Sequence, residues 1–175
     1  DMAERTQEFV NACIERLIKD LSDEGYNLVI EGTLRSSQVT INTCQILKDK
    51  GYQTDLYIVA IDAVTSWNYT INRAELLKEM GDTPRLVPID KYNYIVNNLV
   101  NSVDQIDSAG CFDAIHIVDR NSKIIYPDNT GRKAASIMEE KLNVGKWNEM
   151  YDDIANKFFD LQIDMLQTRK KHKGR

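Results

Sequence analysis

Asn27-Leu28-Val29-Ile30-Glu31-Gly32-Thr33-Leu34-Arg35 is the stretch on which the reading of the chain turns. Apolar, β-favouring residues run into a carboxylate, a glycine, a hydroxyl and a guanidinium. That is the pattern of a buried strand whose carboxyl end opens into a polar turn. Open α/β sheets bind ligands at that end, so Glu31 and Thr33 are candidates for a site. A solvated strand-end carboxylate and a hydroxyl starting the next helix would fit the same residues, since a short motif is a hypothesis until its context is seen.

Upstream of this stretch, Phe9, Val10, Cys13, Ile14, Leu17, Ile18 and Leu21 recur at spacings of three and four and predict an amphipathic helix over about 3–22. Glu15 falls beside that stripe, where an ordinary solvated helix residue would also fall. Asp23-Glu24-Gly25 ends the helix and leads into a strand at 26–31. Downstream, Ser36 or Ser37 caps a helix over about 37–50, with Val39, Thr43, Ile46 and Leu47 toward its buried side and Gly51 as its stop. Asp55 to Ala60 is the next strand. Strand, helix and strand in this span make a βαβ unit with parallel strands and a right-handed crossover.

A third helix is expected over 62–79, then an irregular 81–88 segment broken by Gly81, Pro84 and Pro88. A fourth helix covers about 90–107. Ala114-Ile115-His116-Ile117-Val118 is the third strand, with His116 read as a packed, hydrogen-bonded core histidine. Lys123 to Tyr126 forms a short hairpin arm, and 127–131 a turn. Two more helices follow at 132–142 and 147–168, and 169–175 reads as a solvated basic terminus. The sum is a single α/β domain of three parallel strands with helices on both faces.

Composition narrows the function classes. The chain has 175 residues, 42% hydrophobic and 28% charged, which suits one domain with a substantial core. A formal charge of -5 argues against nucleic acid as a partner, because phosphate recognition brings a basic surface. No apolar run reaches the roughly 20 residues of a membrane span, and no signal-peptide pattern opens the chain, so a cytoplasmic protein off the membrane is expected. Cys13, Cys44 and Cys111 are widely spaced among apolar neighbours and read as reduced core residues, with neither a metal site nor a disulfide framework.

The run from Gly25 to Arg35, then Thr43 and Leu47-Lys48-Asp49-Lys50-Gly51-Tyr52, resembles the zeta toxin family of toxin–antitoxin systems. The likeness continues through Ser66, Arg73-Ala74-Glu75-Leu76, Arg85, Tyr94 to Val100, the helix near 132–142, and Trp147. It implies a P-loop kinase-like parallel sheet and a kinase that phosphorylates UDP-N-acetylglucosamine with ATP and Mg2+. It also implies a small helical antitoxin as partner. By this resemblance Glu31 matches an active-site glutamate at a strand end, Thr33 and Thr43 line the sugar-nucleotide site, and Glu15 faces substrate from the preceding helix. Arg73 and Arg85 match arginines that reach the ATP phosphates from a lid-like segment, with one residue fewer between them than is usual. Guanidinium forks suit that task, because phosphoryl transfer demands charge neutralisation in a defined geometry.

The departures are as informative. A P-loop needs Gly-x4-Gly-Lys-Ser/Thr between a strand and a helix, and no glycine here stands in that pattern. The family's aspartate after the P-loop helix, its general base, is also missing, and by motif alignment about 70 amino-terminal residues of the family have no counterpart. The N-terminal P-loop strand and helix are therefore expected to be absent from this chain: present as a separate segment, or replaced by direct pairing of the two flanking strands, or filled by a neighbouring chain. In the family that strand lies between those matching 26–31 and 54–59, so two apolar edges are expected to be left unpaired. The isolated chain is expected to be inactive. The alternatives are a truncated toxin that binds antitoxin or sugar nucleotide without chemistry, and a P-loop kinase for another small substrate.

Overall fold

The computed structural model describes residues 2–172, with the side chains of residue 6 and of 8–163. In chain order the elements are α1 (Met2–Asp23), α2 (Ser37–Asp49), β1 (Asp55–Val59), α3 (Ala63–Glu79), α4 (Ile89–Ala109), β2 (Ala114–Val118), β3 (Ile124–Tyr126), α5 (Ala134–Leu142) and α6 (Val144–His172). The helices lie where periodicity placed them. Of the basic terminus, 173–175 fall outside the described residues.

The sheet has the order β1-β2-β3. β1 and β2 run parallel, with Asp55 opposite Ala114 and Val59 opposite Val118. β3 returns antiparallel to β2 as the expected hairpin arm. The sheet is therefore α/β but mixed, and its parallel pair is joined through α3 and α4 rather than through α2.

The strand expected at 26–31 does not form. Residues 27–33 have no regular secondary structure and make no hydrogen bonds among the described residues. Val29 is fully exposed and Ile30 is 44% exposed. Local sequence can favour an extended backbone, but a ladder needs a neighbour, and unpaired amide groups default to water. The expected βαβ unit over 26–60 is absent for that reason.

Two apolar clusters hold the chain together. One gathers Ala63, Trp67, Ile89, Val96, Leu142, Trp147, Ala155 and Phe158 from α3, α4, α5 and α6. The other places Ile58 and Ile117 of the sheet against Val103 of α4 and Ala134, Ile137 and Met138 of α5. Leu99 and Val100, one turn of α4, touch both clusters. In the first, Trp147 packs edge-on to Trp67, Tyr92 and Tyr151. Its indole N–H donates to Asn93 Oδ1 at 2.8 Å, which satisfies the one polar atom it buries.

Several expectations about single side chains need correcting. On α2, Cys44 and Leu47 are buried, but Val39 and Ile46 are exposed. Ser36 is the N-cap residue yet its hydroxyl makes no capping bond, while the Ser37 hydroxyl donates to Gln105 on α4. Cys13 is exposed, as are Phe9, Val10, Ile14 and Leu17 of the same stripe. Cys44 is buried and Cys111 half-buried, and burial together with the Cys44 thiol pushes Cys111 up to about 11, which keeps it protonated. His116 is half-buried and stacks on Tyr57 with ring centroids 4.6 Å apart, but its Nδ1 has no hydrogen-bond partner. The hydrogen bond expected of it is not made.

Candidate functional site

The carboxyl ends of the parallel strands and the ribbon of 27–33 define the candidate site. The ribbon is fixed at its start by the end of α1. Lys50 pairs with Asp23 at 2.6 Å and donates to Ser22 Oγ at 2.6 Å. The Tyr52 hydroxyl donates to the Tyr26 carbonyl at 2.9 Å, shared with the Ser22 carbonyl at 3.2 Å. Hydrogen bonds from Lys19 and Lys50 hold the Asp23 carboxyl down at about 2. At its far end Leu34 packs against the cluster that contains Ile58 and Ala60. The ribbon thus leaves from beside Tyr52, just before β1, and ends at Leu34 in the cluster that also holds Ala60, the residue just past the carboxyl end of β1.

At that end of β1, Asp62 opens α3. Its carboxylate accepts from the Thr65 backbone N–H at 2.9 Å and the Thr65 hydroxyl at 3.0 Å, a helix cap that satisfies an otherwise orphan amide. Asn143, between α5 and α6, donates to its other oxygen at 3.4 Å. Burial pushes the Asp62 carboxyl up, but the Thr65 donors outweigh it and the net shift is downward. Asp119, at the end of β2, is held low by the amides of Lys123 and Asn121 in its own turn. Sequence reasoning gave neither aspartate a role. Both occupy structural turns, and the signal for Asp62 was its position just after an apolar strand and before a helix.

Of the sequence-predicted site residues, Glu31 and Thr33 lie on the exposed ribbon. Thr43 is half-buried on α2, its hydroxyl donating to the Val39 carbonyl at 2.9 Å, so its proton is committed and its lone pairs are free. Glu15 is exposed on α1, two turns before the Lys50 anchor. Arg73 is exposed near the middle of α3 and Arg85 is exposed in the irregular segment before α4. Among the described residues none of the six is hydrogen-bonded or ion-paired to another, and neither arginine has a carboxylate partner. A surface hollow of about 340 Å³ lies elsewhere, at the amino end of β2, between Asp107, Phe112, His116 and Tyr126. It contains none of the six.

An α/β sheet followed by a helix and a loop whose arginines have no carboxylate partner among the described residues has the parts of a P-loop kinase-like fold, and no glycine-rich phosphate-binding motif stands in the sequence. The Zeta toxin family model matches residues 1–131. Toxin PezT of Streptococcus pneumoniae is 32% identical over 151 residues, covering 86% of this chain and 60% of that protein. Toxin zeta of Streptococcus pyogenes is 34% identical over 127 residues, 72% of this chain and 44% of that protein. A solved structure from the characterisation of the PezAT chromosomal toxin–antitoxin system of S. pneumoniae superposes with a TM-score of 0.69 at 33% identity, over 81% of this chain and 55% of that one. The chain belongs to the Zeta toxin family, and it spans about half the length of the relatives it matches.

Proposed function

We propose that residues 1–175 carry the sugar-nucleotide side and the lid of a zeta-type kinase, one that transfers phosphate from ATP to UDP-N-acetylglucosamine and is held in check by an antitoxin. The supporting observation is the pair of uncompensated guanidinium groups, Arg73 and Arg85, on the helix and loop that follow the strand ending at the site. An arginine without a carboxylate nearby keeps its charge for an incoming anion, and planar forks match phosphate oxygens. In this reading Glu31 orients the sugar, Thr33 donates to it, Thr43 accepts through its free lone pairs, and Glu15 closes the substrate side from α1.

ATP fits these residues only in part. The arginines can neutralise charge on its phosphates, but the backbone cradle that would position them is not among the described residues. Magnesium usually leans on one or two carboxylates together with the phosphates it bridges. No group of three His, Cys, Asp or Glu side chains gathers among the described residues, so the ion has no cage here and no step is assigned to it. Phosphoryl transfer rests on positioning and electrostatics, and a chain that supplies half of each does not turn over.

Two measurements test the reading. Calorimetry of residues 1–175 with UDP-N-acetylglucosamine is expected to give weak binding that Glu31→Gln and Thr33→Val each reduce; no binding by the unsubstituted chain removes the substrate-side assignment. Incubation with ATP, Mg2+ and the sugar nucleotide is expected to give no protein-dependent product. Turnover would overturn the claim of incompleteness.

A further inference from the structure

We propose that Cys44 and Cys111 form a dithiol site that a peroxide closes into a disulfide, fastening α2 to the turn between α4 and β2. The two residues are far apart in sequence but meet beside Thr54, the residue just before β1. The Thr54 hydroxyl lies 3.5 Å from Cys44 Sγ and donates to the Cys111 carbonyl at 3.5 Å. On α2, Cys44 and Lys48 stand one turn apart and share a face. Lys48 pairs with Asp113 at 2.6 Å. One turn before it, Cys44 meets Cys111, two residues ahead of Asp113. Farther back, the Ser37 hydroxyl donates to Gln105 of α4. Ser37 with Gln105, Cys44 with Cys111 and Lys48 with Asp113 therefore advance together along one seam, which sets the two thiols against each other.

The backbone that carries Cys111 is pinned on both sides. Before it, Gly110 closes α4 in the left-handed conformation at φ 59°. After it, Asp113 accepts from the Thr54 backbone N–H at 2.7 Å and donates its own N–H to the Thr54 carbonyl at 2.8 Å. A disulfide tolerates little error in the placement of its two backbones, and this one joins segments that are already held in register.

Access divides the roles of the two sulfurs. Cys44 is 2% exposed, whereas Cys111 is half-buried, so an oxidant reaches Cys111 first. Burial and the hydrogen-bonding Cys44 thiol hold Cys111 up at about 11, which keeps its thiolate scarce and makes the first step slow. In that step the Cys111 sulfur attacks one peroxide oxygen, the O–O bond breaks, and the departing hydroxide leaves as water with the thiol proton. Cys111 is now a sulfenic acid. The Cys44 sulfur then displaces its oxygen, the S–S bond forms, and the second thiol proton leaves in a second water. Two thiols have lost two electrons and one peroxide has become two waters. Cys13, exposed on α1, takes no part. This inference does not depend on the kinase chemistry.

The test treats residues 1–175 carrying Cys13→Ser with hydrogen peroxide in the absence of denaturant, then maps the sulfurs by mass spectrometry after proteolysis. The expected product is a chain lighter by two hydrogens, with the Cys44 and Cys111 peptides joined and both thiols recovered on adding dithiothreitol. A bond across so long a loop constrains the unfolded chain, so the urea midpoint of the oxidised protein should rise by about 1 M. Adding Cys111→Ser should leave Cys44 reduced, since solvent does not reach it, and adding Cys44→Ala should let Cys111 proceed to the sulfinic acid. Without those additions, an overoxidised Cys111 beside a free Cys44 overturns the proposal, as does a chain that keeps both thiols. So do cross-links between molecules, and a Cys44–Cys111 bond that lowers the midpoint, since the folded backbone would then have to distort to make it.

Discussion

The surroundings of Trp147 and the run from Leu28 to Ile30 use similar apolar material with opposite outcomes. Around Trp147, five aromatic rings from α3, α4 and α6 close on one another, and the one buried indole N–H finds Asn93. Along Leu28 to Ile30, Leu28 is half-buried, Val29 and Ile30 face water, and the backbone makes no hydrogen bond among the described residues. The difference lies in range. Helices satisfy their own backbone and need only a face to bury, so α3, α4 and α6 can complete a core from within. A strand satisfies none of its own backbone and depends on a neighbour along each edge for all of it.

Removing the centre of the satisfied region should have the largest effect. Trp147→Ala is expected to cost about 3–5 kcal/mol, the range for emptying an aromatic core site, while Asn93 Oδ1 keeps its other donor, the Asn97 side-chain amide; urea denaturation followed by circular dichroism measures it. A loss below about 1 kcal/mol would mean that the aromatic cluster is no more cohesive than the surface. Asp62→Ala, at the junction of the two regions, should cost about 1 kcal/mol through loss of the α3 cap. Asp62→Asn should recover most of it, because an amide oxygen can still accept from Thr65.

Acid should separate the regions next. The Asp23 carboxyl is held at about 2 by Lys19 and Lys50. A depressed folded-state value means that its contribution is present above the unfolded value near 4 and is lost as pH falls toward 2. The grip on the last turn of α1 should therefore loosen between about pH 4 and 2, seen as chemical-shift changes at Tyr26 and Tyr52 while the Trp147 indole signal stays put. Lys50→Ala should blunt that response at Tyr26 and Tyr52. Val29→Asp should do least, within about 0.5 kcal/mol of no effect on residues 1–175, since the side chain leaves no contact. A larger loss would mean that the ribbon already pairs in solution.

The same contrast explains what could be read in advance. Helix periodicity located the six helices of the described residues, and the apolar runs at 55–60 and 114–118 became β1 and β2 because each is the other's neighbour. The run at 26–31 has equally strong β-forming residues and failed, since pairing is not a property of the segment that pairs. The exposure of Cys13 and Ile46 follows from the same gap: an apolar stripe predicts that a face seeks burial, not that something is there to bury it. The resemblance carried by Gly25 to Arg35 identified the family, which the matches to the toxins bear out. The roles of Glu15, Glu31, Thr33, Thr43, Arg73 and Arg85 rest on that likeness, because none of the six touches another. Asp62 escaped notice although an aspartate between an apolar strand and a helix is a cap signal, because a cap is a structural role and carries no mark of a site.

The Tyr52 hydroxyl shared between the Ser22 and Tyr26 carbonyls has a consequence for assembly. Side chains alternate across a strand, so a slip of one residue would turn every one of them to the wrong side. A phenol that pegs Tyr26, the residue just before the ribbon, beside the approach to β1 acts as a zero mark on a ruler from which the residues that follow are counted.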